Sequence, residues 1–264
     1  MDDPHDDPHM ELRDLRCTLF SHALWSREKT IALFKELADS VPSSVTENNT
    51  KNGQVVTVQG SIDSETTLHL RGLPDRVDII FFGAILQRPN SPFPHAPAPL
   101  GIYRDELVKQ KLSLLKGKPF SGVGQVSRLA FGGSSIIGFE SKNLACTYLK
   151  SRASSLEKLD PGLVPGLQFR INPRHIMRVG NVDALVNRVC SWNVVEGFAF
   201  DTLGDNKKPL KHFLVITEID INTSSEMDLQ MHGASAIADA FSAFGEECVE
   251  LLEKGDSIPY DNSI

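Results

Sequence analysis

Chemistry in this chain would have to come from a few hydroxyls, imidazoles and carboxylates. Ser121, Ser134 and Ser135 lie near the middle of the sequence, and His95, His175 and His212 are spread around them. A serine becomes a nucleophile only when a base stands within hydrogen-bond reach of its hydroxyl. A Ser–His pair among these six therefore depends on how the chain folds, not on spacing. Glu196 and Asp201 flank Gly-Phe-Ala-Phe, while Glu218 and Asp220 alternate with isoleucines in "ITEIDI". Carboxylates placed so could work as an acid–base pair or as cation ligands. Their alternation with apolar residues favours the solvent face of a half-buried strand.

Other patterns point away from bound groups. Cys17, Cys146, Cys190 and Cys248 are far apart and form no CxxC pair, which argues against a zinc site or a disulfide framework and for buried thiols. The opening repeat "DDPHDDPH" has metal-ligating residue types, but its prolines and lack of apolar residues predict a disordered acidic leader. "FGGSS" (131–135) reads as a hairpin turn and not a phosphate cradle, because no helix start follows it. The basic stretch "NKKPLKH" (206–212) reads as a solvated turn able to touch a phosphate or an acidic partner. Trp25 and Trp192 read as core or interface anchors. No cofactor site and no metal site are expected.

Periodicity supplies the elements around these residues. A helix capped by Ser26 is expected to bury Ile31, Phe34, Leu37, Ala38 and Val41. Residues 40–53 read as a loop, "QVVTVQG" and "TTLHLRG" as short strands, and Val77–Leu86 as a strand buried on both faces. The five prolines between Gln87 and Gly101 exclude helix and inner strand, leaving a surface excursion. A helix follows, with Leu107, Val108, Leu112 and Leu115 on one face and Gly117 ending it. "GVGQVSRLAF", "SSIIGF" and "NLACTYL" read as strands, 147–159 as a helix, and "GLQFRINP" as a turn feeding a strand. "GNVDALVNRVC" reads as a short helix capped by Asn181. Two long strands then lead to a closing helix over 234–252, with Ile237, Phe241, Phe244, Cys248 and Leu251 inward and Gly255 as its stop.

The fold class is thus α+β, with a central strand barrel or sheet and flanking N- and C-terminal helices. The expected divisions are a leader at 1–9, a helix with short strands at 10–76, a strand-rich core at 77–222, and a helix and tail at 223–264. The 264 residues suffice for a sizeable core, and a net charge of −7 gives no general attraction to nucleic acid or an anionic membrane. No apolar run reaches spanning length, and the acidic start differs from a secretory signal, so an intracellular protein is expected.

From Ile80 to Gly204 the order of segments resembles the assemblin-like prohead proteases of phages. The pieces are "FFGAILQRPN", an exposed loop, "GIYRDELVKQ", "LLKGKPFSGVGQV", strands ending in "NLACTYL", a helix, "GLVPGLQFRINP" and "WNVVEGFAFDTLG". The resemblance implies a strand barrel with a serine at the start of the "GLQ" strand and a histidine after the "GKP" turn. Here the serine position holds Gln168, and the stretch from Ser121 to Gln125 has no histidine. Glutamine cannot form an acyl-enzyme. The resemblance thus implies a virion assembly or structural protein that has lost the protease, found in the virion or host cytoplasm. Its partners would be itself, as a homo-oligomer, or a capsid protein. An active protease with relocated residues, and a cytosolic binding or membrane-active module unrelated to phage, are the alternatives. A chain starting at Met10 should melt at an unchanged temperature, because the leader has nothing to pack; a fall of several degrees in calorimetry contradicts this.

Overall fold

Leu15, Cys17 and Leu19 are buried, with Asp14, Arg16 and Phe20 between them more exposed. This period of two makes Glu11–Ser21 a strand, β1. The computed structural model describes residues 9–21, 24–51, 53–84, 98–179, 182–200, 209–225, 229–231 and 233–257. Most of the leader, His95 with most of the proline-rich excursion, Asp201 and 206–208 lie outside them. Ten further strands follow among the described residues. They are β2 (Ser44–Thr50), β3 (Gly53–Ser61), β4 (Thr66–Leu73), β5 (Arg76–Gly83), β6 (Gly101–Ile102), β7 (Val126–Phe139), β8 (Gln168–Ile171), β9 (Arg174–Val179), β10 (Val182–Phe200) and β11 (Pro209–Thr223).

All these strands join one open antiparallel sheet in the order β2-β3-β4-β5-β1-β7-β11-β10-β8, with β6 on β1 and β9 on β10. The first strand in sequence is therefore central, held between β5 and β7. One sheet draws on both the 10–76 and the 77–222 segments.

Among the described residues, four α-helices cover one face. In α1 (Arg27–Ala38) the Ser26 hydroxyl accepts from the Lys29 N–H, as the capping expectation requires. Phe34 presses on Gly60, and Thr30 and Trp25 on Gly72, where a side chain would collide. Val41 lies past the helix and is exposed. α2 (Asp105–Ser113) packs on α4 (Ala234–Lys254), with Leu112 and Val108 against Gly245. α4 buries Ile237, Phe241, Phe244, Cys248 and Leu251, the stripe read from the sequence. Tyr148 of α3 (Lys142–Arg152) packs against Phe139 in a tilted ring contact, 5.3 Å between centroids.

Several local expectations are corrected. "NLACTYL" belongs to α3, because the Ser141 hydroxyl caps it and Ala145, Cys146 and Leu149 fall on one helical face. "VDALVNRVC" is strand, because Ala184, Val186, Arg188 and Cys190 are buried at alternate positions. Residues 44–50 are a strand at the sheet edge. β5 buries Val77, Ile79 and Phe81 inward, while on its other face Asp78 is buried and Ile80 and Phe82 are half-buried. "FGGSS" lies in the middle of β7. A side chain at Gly132 would meet the Ile219 carbonyl at 2.4 Å, and one at Gly133 the Asp14 carbonyl at 2.6 Å. These glycines permit close backbone approach and make no turn.

Phe241 is fully buried, so Phe241→Ala should lower the unfolding free energy by about 3–5 kcal/mol in urea titration. Gly255, at φ +58°, has no room for a side chain beside the Arg152 carbonyl, so Gly255→Ala should destabilise as well. Unchanged midpoints in both would contradict this packing of α4.

Candidate functional site

On the face turned away from the helices, outward residues of successive strands line up in rows. Phe82, Asp14, Ser134, Glu218, Ser191 and Arg170 are cross-strand partners in turn. Ile80, Arg16, Gly132, Asp220 and Val189 form the next row, and Asp78, Thr18, Ala130, Asn222 and Asn187 the one after. Rows on one face are about 7 Å apart and strands about 4.8 Å, so the backbone grid sets the spacing of these groups. Asp14 and Glu218 stand two strands apart, about 10 Å at the backbone, with Ser134 between them.

Two connected grooves follow. The first, about 420 Å³, is lined by Asp14, Ser134, Glu218 and Arg170 among others. The second, about 260 Å³, is lined by Arg71, Arg76, Arg128 and Phe20 among others. Arg16 and Asp220 line both, 4.0 Å apart. Gly132 is the cross-strand partner of both Arg16 and Asp220 and puts no side chain between them.

The polar groups hold one another in place. The Ser134 hydroxyl donates to Asp14 Oδ2, and the Thr18 hydroxyl donates to Asp78 Oδ1 at 2.8 Å. Asn187 donates to Asn222 at 3.0 Å, and Asn222 to Asp220 at 3.2 Å. Burial lifts the Asp14 carboxyl above its ordinary value, against the pull of the Ser134 hydroxyl and of Arg13 and Arg16. A carboxyl so shifted in a cleft marks a functional-site candidate.

The residues singled out in the sequence separate. Gln168 is exposed at the start of β8, paired with Asn193 of β10. Through Asn193 and Ile216 it is level with Ile136 of β7, eleven positions beyond Gln125. Gln168 and Gln125 are therefore more than about 30 Å apart along the strand direction. Ser121 is exposed in a turn, where its N–H donates to Glu36 at 2.8 Å. Ser135 points inward beside Thr217. His175 also points inward, 3.3 Å from Glu247 of α4, while Ser134 faces outward. His175 is level with Thr223 through Val186, and Ser135 with Thr217, so the pair is about 20 Å apart. His212 is half-buried on β11, and Glu196 is exposed on β10. Among the described residues, only Ser134, Glu218 and Asp220 of the predicted candidates come together.

Asp14, Arg16, Arg170 and Ser191 are the members missed by the sequence reading. The alternation of "LRDLRCTLF" is the signal that would have found the first two. Among the described residues, no three His, Cys, Asp or Glu side chains converge as a metal site requires. Among them also, no helix is long and apolar enough to cross a membrane.

A second ionic cluster lies on the helix side. Arg188, 3% exposed, is 3.3 Å from Glu247 Oε2, and His175 Nε2 is 3.3 Å from Oε1. Burial raises the Glu247 pKa, but hydrogen bonds and charge from His175 and Arg188 outweigh it and hold the carboxyl below its ordinary value. This cluster ties α4 to β9 and β10. All four cysteines are buried free thiols, and burial pushes Cys248 up to about 12. No protein-family model matches the chain, and no curated protein matches it.

The two carboxyls should behave oppositely with pH. Asp14 binds its proton more tightly folded than unfolded, so its ionisation subtracts stability as pH rises above the unfolded value of 3.8. Asp14→Asn should therefore raise Tm at neutral pH and make no difference below pH 3.8. Glu247 contributes stability above its unfolded value of 4.5, lost as pH falls through its lower folded value. Glu247→Gln should lower Tm at neutral pH, with the deficit closing in acid. Calorimetry from pH 3 to 8 checks both signs.

Proposed function

We propose that the chain is a non-enzymatic binding protein whose recognition surface is the open face of the sheet. The observation that carries this reading is the row Asp14–Ser134–Glu218–Ser191–Arg170, which presents charges of both signs across five strands. Residues on such a grid are fixed at the backbone, which suits recognition of a ligand with several polar groups.

Covalent chemistry at Ser134 is disfavoured by its setting. The residue lies in mid-strand, paired on both sides by β1 and β11. Backbone N–H groups there serve the sheet ladder, whereas acyl transfer needs N–H groups aimed at a developing oxyanion. The Ser134 hydroxyl is engaged by a carboxyl, and the candidate imidazole His175 faces the other side.

The segment order that resembles the prohead proteases supports a narrower version. In it the protein has a part in virion assembly, and the bound partner is another copy of the chain or a capsid protein. Light scattering tests the self-association arm: a larger species that Glu218→Lys dissociates supports it, and a monomer at every concentration rejects it.

For the binding reading itself, the purified chain should stay unlabelled by a fluorophosphonate probe. A panel of small polar compounds should contain some that raise Tm, with stabilisation reaching about 2.7 kcal/mol at a hundredfold excess over Kd. Those shifts should vanish in Glu218→Lys, whose side chain is exposed and whose fold should persist. Labelling lost in Ser134→Ala would replace the binding reading with a catalytic one.

A further inference from the structure

The second groove has an unusual charge balance for this chain. Four arginines line it from four adjacent strands: Arg71 of β4, Arg76 of β5, Arg16 of β1 and Arg128 of β7. Among the described residues three carboxylates meet them: Asp78 and Asp220 line the groove, and Asp75 at its edge is 3.8 Å from Arg76. The local excess is one positive charge (four less three), in a protein of net charge −7. Asp78 is 7% exposed and already engaged by Thr18 at 2.8 Å and Arg76 at 3.7 Å. Asp220 is 4.0 Å from Arg16. Among the described residues, Arg71 and Arg128 face no carboxylate within ion-pair distance.

Two of the guanidinium groups are also held in place. Arg128 lies 4.8 Å and Arg76 5.7 Å from the centroid of the Phe20 ring, and Arg128 Nε donates to the Thr223 carbonyl at 3.4 Å. Planar groups fixed on an aromatic face keep their remaining N–H donors for a ligand. Like charges gathered in a half-buried groove repel one another, and an anion relieves that repulsion. Arg71 and Arg128, the two guanidinium groups with no carboxylate at ion-pair distance among the described residues, match a phosphate monoester dianion in charge, and forked N–H pairs match its oxygens.

The neighbouring groove decides what kind of phosphate compound fits. Beyond Arg16 and Asp220 the face carries two further carboxylates, Asp14 and Glu218, with the Ser134 hydroxyl between them and Arg170 at the far side. A polyanion laid along both grooves would meet those carboxylates, so an extended nucleic-acid strand is disfavoured. A compact molecule with its phosphate at one end and hydroxyls or an amine at the other satisfies both halves.

Resting on the open-face reading above, we propose that Arg16, Arg71, Arg76 and Arg128 bind the phosphate of a small phosphate monoester. Its hydroxyl- or amine-bearing end lies along the Asp14–Glu218 row.

The test uses the full chain, isothermal titration calorimetry, and glucose 6-phosphate and phosphoethanolamine as probes. Glucose, ethanolamine and inorganic phosphate are the controls, at fixed ionic strength. At least one ester should bind saturably, more tightly than inorganic phosphate, and its unphosphorylated counterpart should bind at least tenfold more weakly. Arg71→Gln with Arg128→Gln should weaken the ester at least tenfold. Arg71→Gln alone, at an exposed position, should weaken it severalfold at unchanged Tm, and serves if the double variant does not fold. Absence of saturable binding by both esters overturns the proposal, as does binding that the arginine substitutions leave unchanged. Inorganic phosphate binding as tightly as the esters overturns the assignment of the acidic half. Unphosphorylated compounds that bind and are lost in Glu218→Lys would overturn the phosphate assignment while the open-face reading stands.

Discussion

All four helices lie on the same face of one sheet, and that single constraint governs the rest of the molecule. Each strand from β3 to β10 must point alternate residues at the helices, and cross-strand pairing forces neighbouring strands to agree on which ones. Leu70, Ile79, Cys17, Phe131, Ile221 and Arg188 form such an inward row across six strands. Five of the six are apolar. The sixth, Arg188, is tolerated because Glu247 of α4 meets it. A slip of one residue anywhere would turn a row of apolar side chains to water and a row of charges to the helices.

The candidate site is the other side of the same register. Asp14, Ser134 and Glu218 are neighbours because Leu15, Gly133 and Ile219 beside them face the core. The site therefore needs no loops to assemble it, and its members come from segments far apart in the chain. Its chemistry is set by which side chains occupy outward positions: acidic around Asp14 and Glu218, basic around Arg71 and Arg128, with Arg16 and Asp220 at the seam. Gly132 puts no side chain at that seam.

The helical stripes were legible in the sequence because period 3.6 and caps are local signals. The Ser26 cap and the stripe from Ile237 to Leu251 were read directly. β3, β4 and the alternation of "ITEIDI" were legible for the same reason. What failed was local ambiguity that tertiary partners resolve. "VDALVNRVC" fits a short helix until Arg188 finds Glu247 and alternation wins. Gly132 and Gly133 signal a turn until the approach of the Ile219 and Asp14 carbonyls explains them. The site itself was half legible. Glu218 and Asp220 stood out beside isoleucines, but Asp14, Arg16 and Arg128 acquire meaning only once β1 is seen between β5 and β7. Cross-strand neighbours 60 and 120 residues apart, such as Thr18 with Asp78 and Ser134 with Asp14, leave no local trace.

The central place of β1 has a consequence for how the protein is made. β1 leaves the ribosome ahead of both strands that flank it, so one edge has no partner until β5 has emerged and the other stays open until β7 follows. Meanwhile Leu15, Cys17 and Leu19 sit on a strand with unpaired backbone on both sides, the arrangement most prone to pairing with a foreign chain. Closing these long loops before any ladder forms makes folding slow relative to proteins built from local contacts. The charged outward residues Asp14 and Arg16 oppose stacking of identical strands during that interval. The side chains that furnish the groove in the finished molecule thus also keep one face of the nascent strand polar.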